Sequence, residues 1–151
     1  MHPEGWSDNW AWGLPIIVLT VVAHAFGLVL IHEHVVGRLA HYLRARRSMT
    51  VFAAVVAIMV LLLTILHGAE ASAWGLAYIA LGALDDPRSA MLFSLNAMTT
   101  YGHDNLDLEP HWRLMGALEA LNGVILFGLT TAFLFSALQG AWPSYARRGR
   151  A

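Results

Sequence analysis

The sequence predicts an all-α membrane protein, with three transmembrane helices and a short re-entrant helix and loop between the second and third. Three observations carry that reading. Hydrophobic residues are 58% of the 151 and charged residues only 13%, about half the charged share of a soluble domain. Three apolar runs are long enough to cross a bilayer. All nine basic residues are arginines, and seven of them fall in two clusters. The composition excludes a disordered chain. The absence of cysteine excludes a disulfide framework and thiolate chemistry. A net charge of −1 gives no reason to expect a nucleic-acid partner.

The first run is Gly13 to Ile31, interrupted only by Thr20 and His24. At 1.5 Å per residue it matches the ~30 Å hydrocarbon core. Glu4 and Asp8 before it are acidic where a secretory signal would be basic, so it reads as a retained span. The second run begins with Thr50 as N-cap and is apolar from Val51 to Leu66. His67, Glu70 and Ser72 then intrude, and apolar character resumes from Ala73 to Leu84. The third runs from Leu114 to Leu138 and ends at Gly140 and Pro143. Between them lies Arg88 to Thr100, preceded by Asp86-Pro87, an N-cap followed by proline at the first helical position. Some 13 residues cannot cross a bilayer, which makes this stretch re-entrant or interfacial.

Arg38, Arg44, Arg46 and Arg47 follow the first span, and Arg147, Arg148 and Arg150 follow the third. The positive-inside rule makes both groups cytoplasmic. The N-terminus and the 85–112 region are then outside, with Glu4, Asp8, Asp85, Asp86, Asp104, Asp107 and Glu109. Trp6, Trp10 and Trp12 fit one interfacial belt, Trp142 and Tyr145 the other. The expected location is a cell inner (plasma) membrane, multi-pass, with a cytoplasmic C-terminus.

The short helix ends in Thr99-Thr100-Tyr101-Gly102-His103-Asp104. Irregular backbone at membrane depth is tolerated only where protein buries it or water reaches it. A helix C-terminus there also turns its negative dipole end toward a cation. The layout resembles the pore module of tetrameric potassium channels, whose filter reads T-T-V/L-G-Y-G-D. Thr99-Thr100-Tyr101-Gly102 matches the first four positions, Trp112-Arg113 falls at the family spacing, and Gly123 and Phe127-Gly128-Leu129 match the inner helix. The resemblance implies a pore module over residues 50–140: outer helix 50–84, pore helix 87–100, filter 100–104, inner helix 112–140. Residues 1–49 hold the extra span and the Arg-rich loop, and 141–151 a cytoplasmic tail.

The resemblance further implies a homotetramer in membrane lipid, with Thr99 to Asp104 as ion-binding filter. Four chains stack carbonyl rings that replace the ion's hydration shell, along a backbone that alternates through positive φ. Thr100, Tyr101, Gly102, His103 and Asp104 would then hold a monovalent cation or calcium. Here His103 stands for the filter tyrosine, Asp104 for the second glycine and Asn105 for the aspartate. Asp104 tolerates the left-handed region and would place four carboxylates at the outer mouth. A second register, with two filter residues deleted, aligns Tyr101-Gly102 with the family's second Tyr-Gly.

His103 either titrates near pH 6.5 and repels cations or packs behind the filter. Asn96 occupies the position of a filter-bracing group and is expected to bond to neighbouring backbone. Helical steps from Gly128 put Val124, Phe127 or Gly128, Thr131 and Phe135 on the pore face. Gly123 and Gly128 are then hinges, and Phe127 and Phe135 constrictions that gate by dewetting. Glu119 falls off that face toward the outer helix, where His67 and Glu70 lie one turn apart. A buried His67–Glu119 pair is the preferred reading, since ionisable groups in spans require partners. His24, His32, Glu33, His34 and His41 read as membrane-boundary residues, with a zinc site as the sharper alternative.

The expected function is passive conduction of monovalent cations, potassium first and sodium or calcium as alternatives, with no cofactor, enzyme activity or small-molecule substrate. The competing readings are a non-conducting membrane scaffold or regulatory subunit that keeps the pore fold, and a small membrane enzyme or metal transporter using the histidines.

Overall fold

The computed structural model describes residues 3–37, 49–102 and 106–141. Its helices are α1 (Pro3–Ile31), α2 (Met49–Ala80), α3 (Pro87–Met98) and α4 (Arg113–Ala141). A π-helical stretch, His32–Gly37, extends α1, and a 3-10 turn, Pro110–Trp112, leads into α4. Among the described residues there is no strand. Three helices are long and apolar enough to cross a membrane. The 12 residues of α3 cover about 18 Å and do not span.

Two helix boundaries differ from the expected ones for identifiable reasons. The first helix begins at Pro3, not Gly13, because its polar first turns are held by the start of α4. Asn9 Nδ2 donates to the His111 carbonyl at 2.7 Å, and its Oδ1 accepts from the Met115 amide at 2.8 Å. That amide belongs to the first turn of α4, where helix N–H groups lack intrahelical acceptors. The second helix stops at Ala80, not Leu84. Gly82 takes φ +65°, its amide reaches the Ile79 carbonyl at 3.1 Å, and the Ala83 amide reaches Tyr78 at 2.9 Å. This bond pair, around a left-handed glycine, is a Schellman end. The apolar residues beyond it hid the stop.

The chain divides into two compact units whose boundaries fall inside α1, α2 and α4: Met1–His24 with His67–Phe127, and Ala25–Leu66 with residues from Gly128 on. In the first, Trp74, Tyr78, Phe93, Leu108, Met115 and Leu118 form the core. Tyr78 and Phe93 meet edge to face, with ring centres 5.2 Å apart, the preferred aromatic geometry. Close approach needs small residues, because lipid tails supply no hydrophobic drive between helices. A Cβ on Gly13 would lie 2.5 Å from Leu118 Cδ1, and one on Gly123 would collide with the Met98 carbonyl.

In the second unit Leu28 and Ile31 pack with Val55, Met59, Leu63 and Ala137. A Cβ on Gly27 would come within 2.7 Å of Leu66. Phe26, Leu61 and Leu76, one on α1 and two on α2, expose their side chains, as lipid-facing residues do.

Candidate functional site

The short helix α3 is fixed at its start by Asp86, whose carboxylate accepts from the Ser89 amide at 2.8 Å and the Ser89 hydroxyl at 2.9 Å. These bonds, the backbone one first, hold the Asp86 carboxyl below its ordinary value. Proline at N1 completes the start predicted from sequence. The helix buries Ala90, Phe93, Ser94, Ala97 and Met98, so one face is locked and the other open.

Its C-terminal end is the most unusual backbone among the described residues. The Thr100 amide bonds to the Ala97 carbonyl and the Tyr101 amide to the Asn96 carbonyl, both at 3.0 Å. Thr100 therefore takes the left-handed position of a Schellman end, at φ +56°. A β-branched residue is an outlier there. Gly102 follows at φ +98°. Thr99, Thr100, Tyr101 and Gly102 are all exposed. Asn96, half-buried, joins Thr100, Gly102, Asp107 and Arg113 around a cleft of about 470 Å³. His103 and Asp104 lie outside the described residues, as do His41, the two arginine clusters, Trp142 and Tyr145.

On its buried face α3 joins a polar network. Glu119 is fully buried, and its Oε2 accepts from the Tyr78 hydroxyl at 2.6 Å. The Ser94 hydroxyl lies between the Ala71 carbonyl, at 2.7 Å, and Glu119 Oε1. The network thereby joins α2, α3 and α4. Beside it Asn122 donates to Thr20 at 2.9 Å.

The expected His67–Glu119 pair is corrected by this geometry. Glu119 does face α2, but its partners there and on α3 are Tyr78 and Ser94. His67 and His24 instead flank Glu70, at 3.2 and 2.8 Å. Tyr78 lies just over two turns beyond Glu70 along α2, at the level Glu119 reaches. The histidine grouping is corrected too. His24 is buried against Glu70, whereas His32 meets Phe133 edge-on and His34 bonds to the Leu30 carbonyl of its own helix.

The predicted lining residues Val124, Phe127, Thr131 and Phe135 are all exposed along α4. Gly123 is buried in the contact with Met98, so helix approach accounts for it without a hinge. Gly128 has nothing within 4 Å of a notional Cβ. Tyr78, Ser94 and Asn9 were not singled out by sequence. Ser94 had a usable signal, being a polar residue on the same face as Phe93 and Ala97.

No family model matches the chain, nor does any curated protein or solved structure. Fold and geometry define a helical protein with three helices long and apolar enough to cross a membrane and with buried polar groups on all four helices.

Proposed function

We propose that the chain is one subunit of a homotetrameric cation channel, in which α3 re-enters the membrane as pore helix and Thr99 to Asp104 of four copies form the filter. The observation that carries this reading is the backbone after α3, with positive φ at Thr100 and again at Gly102 around an intervening Tyr101. Such alternation turns successive carbonyls toward one side, which a ring of ion-coordinating oxygens requires. One chain offers a single edge of that ring. This explains why the strip is bare here and why four copies are needed.

Other features support the reading. The C-terminal end of α3 directs its partial negative charge at the strip. The Ser94–Glu119–Tyr78 network and the Met98–Gly123 contact hold α3 to α2 and α4. The exposed face of α4 supplies the cavity wall, with Phe127 and Phe135 as its bulky residues. Acidic residues of the 85–112 region concentrate cations at the outer mouth, and Asp104 adds a carboxylate ring. Potassium is the first permeant ion, in a plasma membrane with the N-terminus outside.

The test is planar-bilayer recording of purified protein under bi-ionic potassium/sodium gradients, with calcium added later and Asp104→Gly in parallel. The expected result is cation current reversing toward the potassium equilibrium potential, with calcium block relieved in the variant. Silence of both proteins, with tetramers intact, would overturn conduction. It would favour the non-conducting scaffold, for which His103 and Asp104 in place of tyrosine and glycine are the supporting residues.

A further inference from the structure

His24 on α1 and His67 and Glu70 on α2 meet where the conduction reading has no use for them. His24 is 0% exposed, Glu70 4% and His67 13%. The carboxylate divides between the two rings: Oε1 is 2.8 Å from His24 Nδ1 and Oε2 3.2 Å from His67 Nδ1. The rings are 5.1 Å apart, and one ligand atom from each of the three residues lies within 4.8 Å of the others. His67 and Glu70 are three apart on one helix and so share a face. His24 comes from another helix, 46 residues away from Glu70 in sequence. The His67 ring is also stacked on Phe127, with centres 4.5 Å apart at 27°, which fixes its plane from α4.

We propose that His24, His67 and Glu70 form an intramembrane site for a divalent transition metal, Zn²⁺ foremost. Two imidazoles and one carboxylate suit zinc, whereas magnesium and calcium require oxygen ligands. Zinc–ligand bonds of about 2.0–2.2 Å place neighbouring donors of a tetrahedron about 3.4 Å apart. With one carboxylate oxygen as ligand, the three donor atoms, now within 4.8 Å of one another, have to close to that spacing, a movement of side chains alone. Three protein ligands leave the fourth position for water or an anion. Charge favours occupancy as well. A lone carboxylate at this depth is costly. A divalent ion with Glu70 and two neutral imidazoles leaves one positive charge, which a bound hydroxide or chloride cancels. Binding joins α1 to α2 through metal bonds in place of hydrogen bonds and holds the His67 ring against Phe127. The site stands independently of whether the protein conducts.

The experiment uses the full-length chain, purified with a histidine-free tag, stripped with chelator and reconstituted in lipid nanodiscs. Co²⁺ is titrated in as a visible probe and then displaced with Zn²⁺. The expected result is one Co²⁺ per chain, with the absorption bands of a four- or five-coordinate ion, removed stoichiometrically by Zn²⁺. His24→Gln and Glu70→Gln should each weaken binding by at least ~10-fold, the loss typical of merely perturbing a ligand's support. His111→Gln, at the half-exposed His111–Asp8 pair, and the His32→Gln/His34→Gln double variant should leave it unchanged. Zinc-edge absorption of the wild-type protein covers the case where a variant fails to fold. Two imidazole scatterers about 2.0–2.1 Å from zinc sustain the site, and a shell without them overturns it. Absence of stoichiometric binding, or binding equal in wild type, His24→Gln and Glu70→Gln, overturns it as well.

Discussion

The C-termini of α2 and α3 are closed by the same pair of backbone hydrogen bonds and differ in the residue at the turn. The end of α2 has Gly82 in the left-handed region, where glycine meets no steric penalty. The end of α3 has Thr100 there, a residue whose branched Cβ makes that conformation cost about 1–3 kcal/mol. The first end is a stop signal with no backbone strain to hold in place. The second persists because the rest of α3 is fixed: Asp86 caps its start, Ser94 is held between Ala71 and Glu119, and Met98 rests on Gly123. Strain kept in place by packing distinguishes the end of α3 from that of α2, and it is on the strip after α3 that the proposed filter rests.

If packing holds the strained end, removing its supports should be the most damaging change. Glu119→Ala deprives Tyr78 of its acceptor and leaves a cavity. The expected loss is about 2–4 kcal/mol in a reversible unfolding assay in detergent. Glu119→Gln, which keeps the shape and an acceptor, should lose less than half as much. Equal losses would mean that the charge, not the packing, secures α3.

Next in size is the pair of glycines on α4. Gly123→Ala drives a methyl into the Met98 carbonyl and should cost about 1–3 kcal/mol. Gly128→Ala enters open space and should gain up to about 1 kcal/mol from helix propensity. Thermal melting of both variants separates a close-approach glycine from an incidental one.

The two helix ends themselves predict opposite signs. Gly82→Ala should cost about 1 kcal/mol, while Thr100→Gly should gain up to about 1 kcal/mol by relieving strain. The latter should also alter ion selectivity under the bi-ionic conditions above. A Thr100→Gly variant no more stable than wild type would remove the contrast.

The smallest effect concerns Asp86. Its folded carboxyl titrates below the ordinary value, so its contribution is complete above about pH 4 and is lost as pH falls through the folded value. Stability measured across that acid window should decline in wild type and lose this component in Asp86→Ala.

Much of this was legible in the sequence, for physical reasons. Apolar runs as long as a bilayer is thick admit few other readings, and Asp86-Pro87 is a local signal read by local chemistry. Helical steps from Gly128 group Val124, Phe127, Thr131 and Phe135 on one face, and all four are exposed. Long-range pairing did not follow. Periodicity turned Glu119 toward α2, but the choice among His67, Glu70 and Tyr78 depends on the relative depth of two helices, which no spacing within one helix encodes. Likewise, His24 was grouped with its sequence neighbours, while its partner comes from another span. The start of α1 is not encoded locally, because its polar residues bond to the His111–Met115 segment more than 100 residues away.

The most direct test of the central claim uses the absence of native cysteine. Thr131 on α4 and Leu61 on α2 are both exposed in the single chain, but only Thr131 is assigned to a water-filled cavity. Thr131→Cys and Leu61→Cys are each treated in a bilayer with a charged, water-soluble thiol reagent while cation current is recorded. The account predicts rapid modification and loss of current at position 131, and no reaction at 61. A thiol at 131 as inert as that at 61, or full modification with current unchanged, would contradict it.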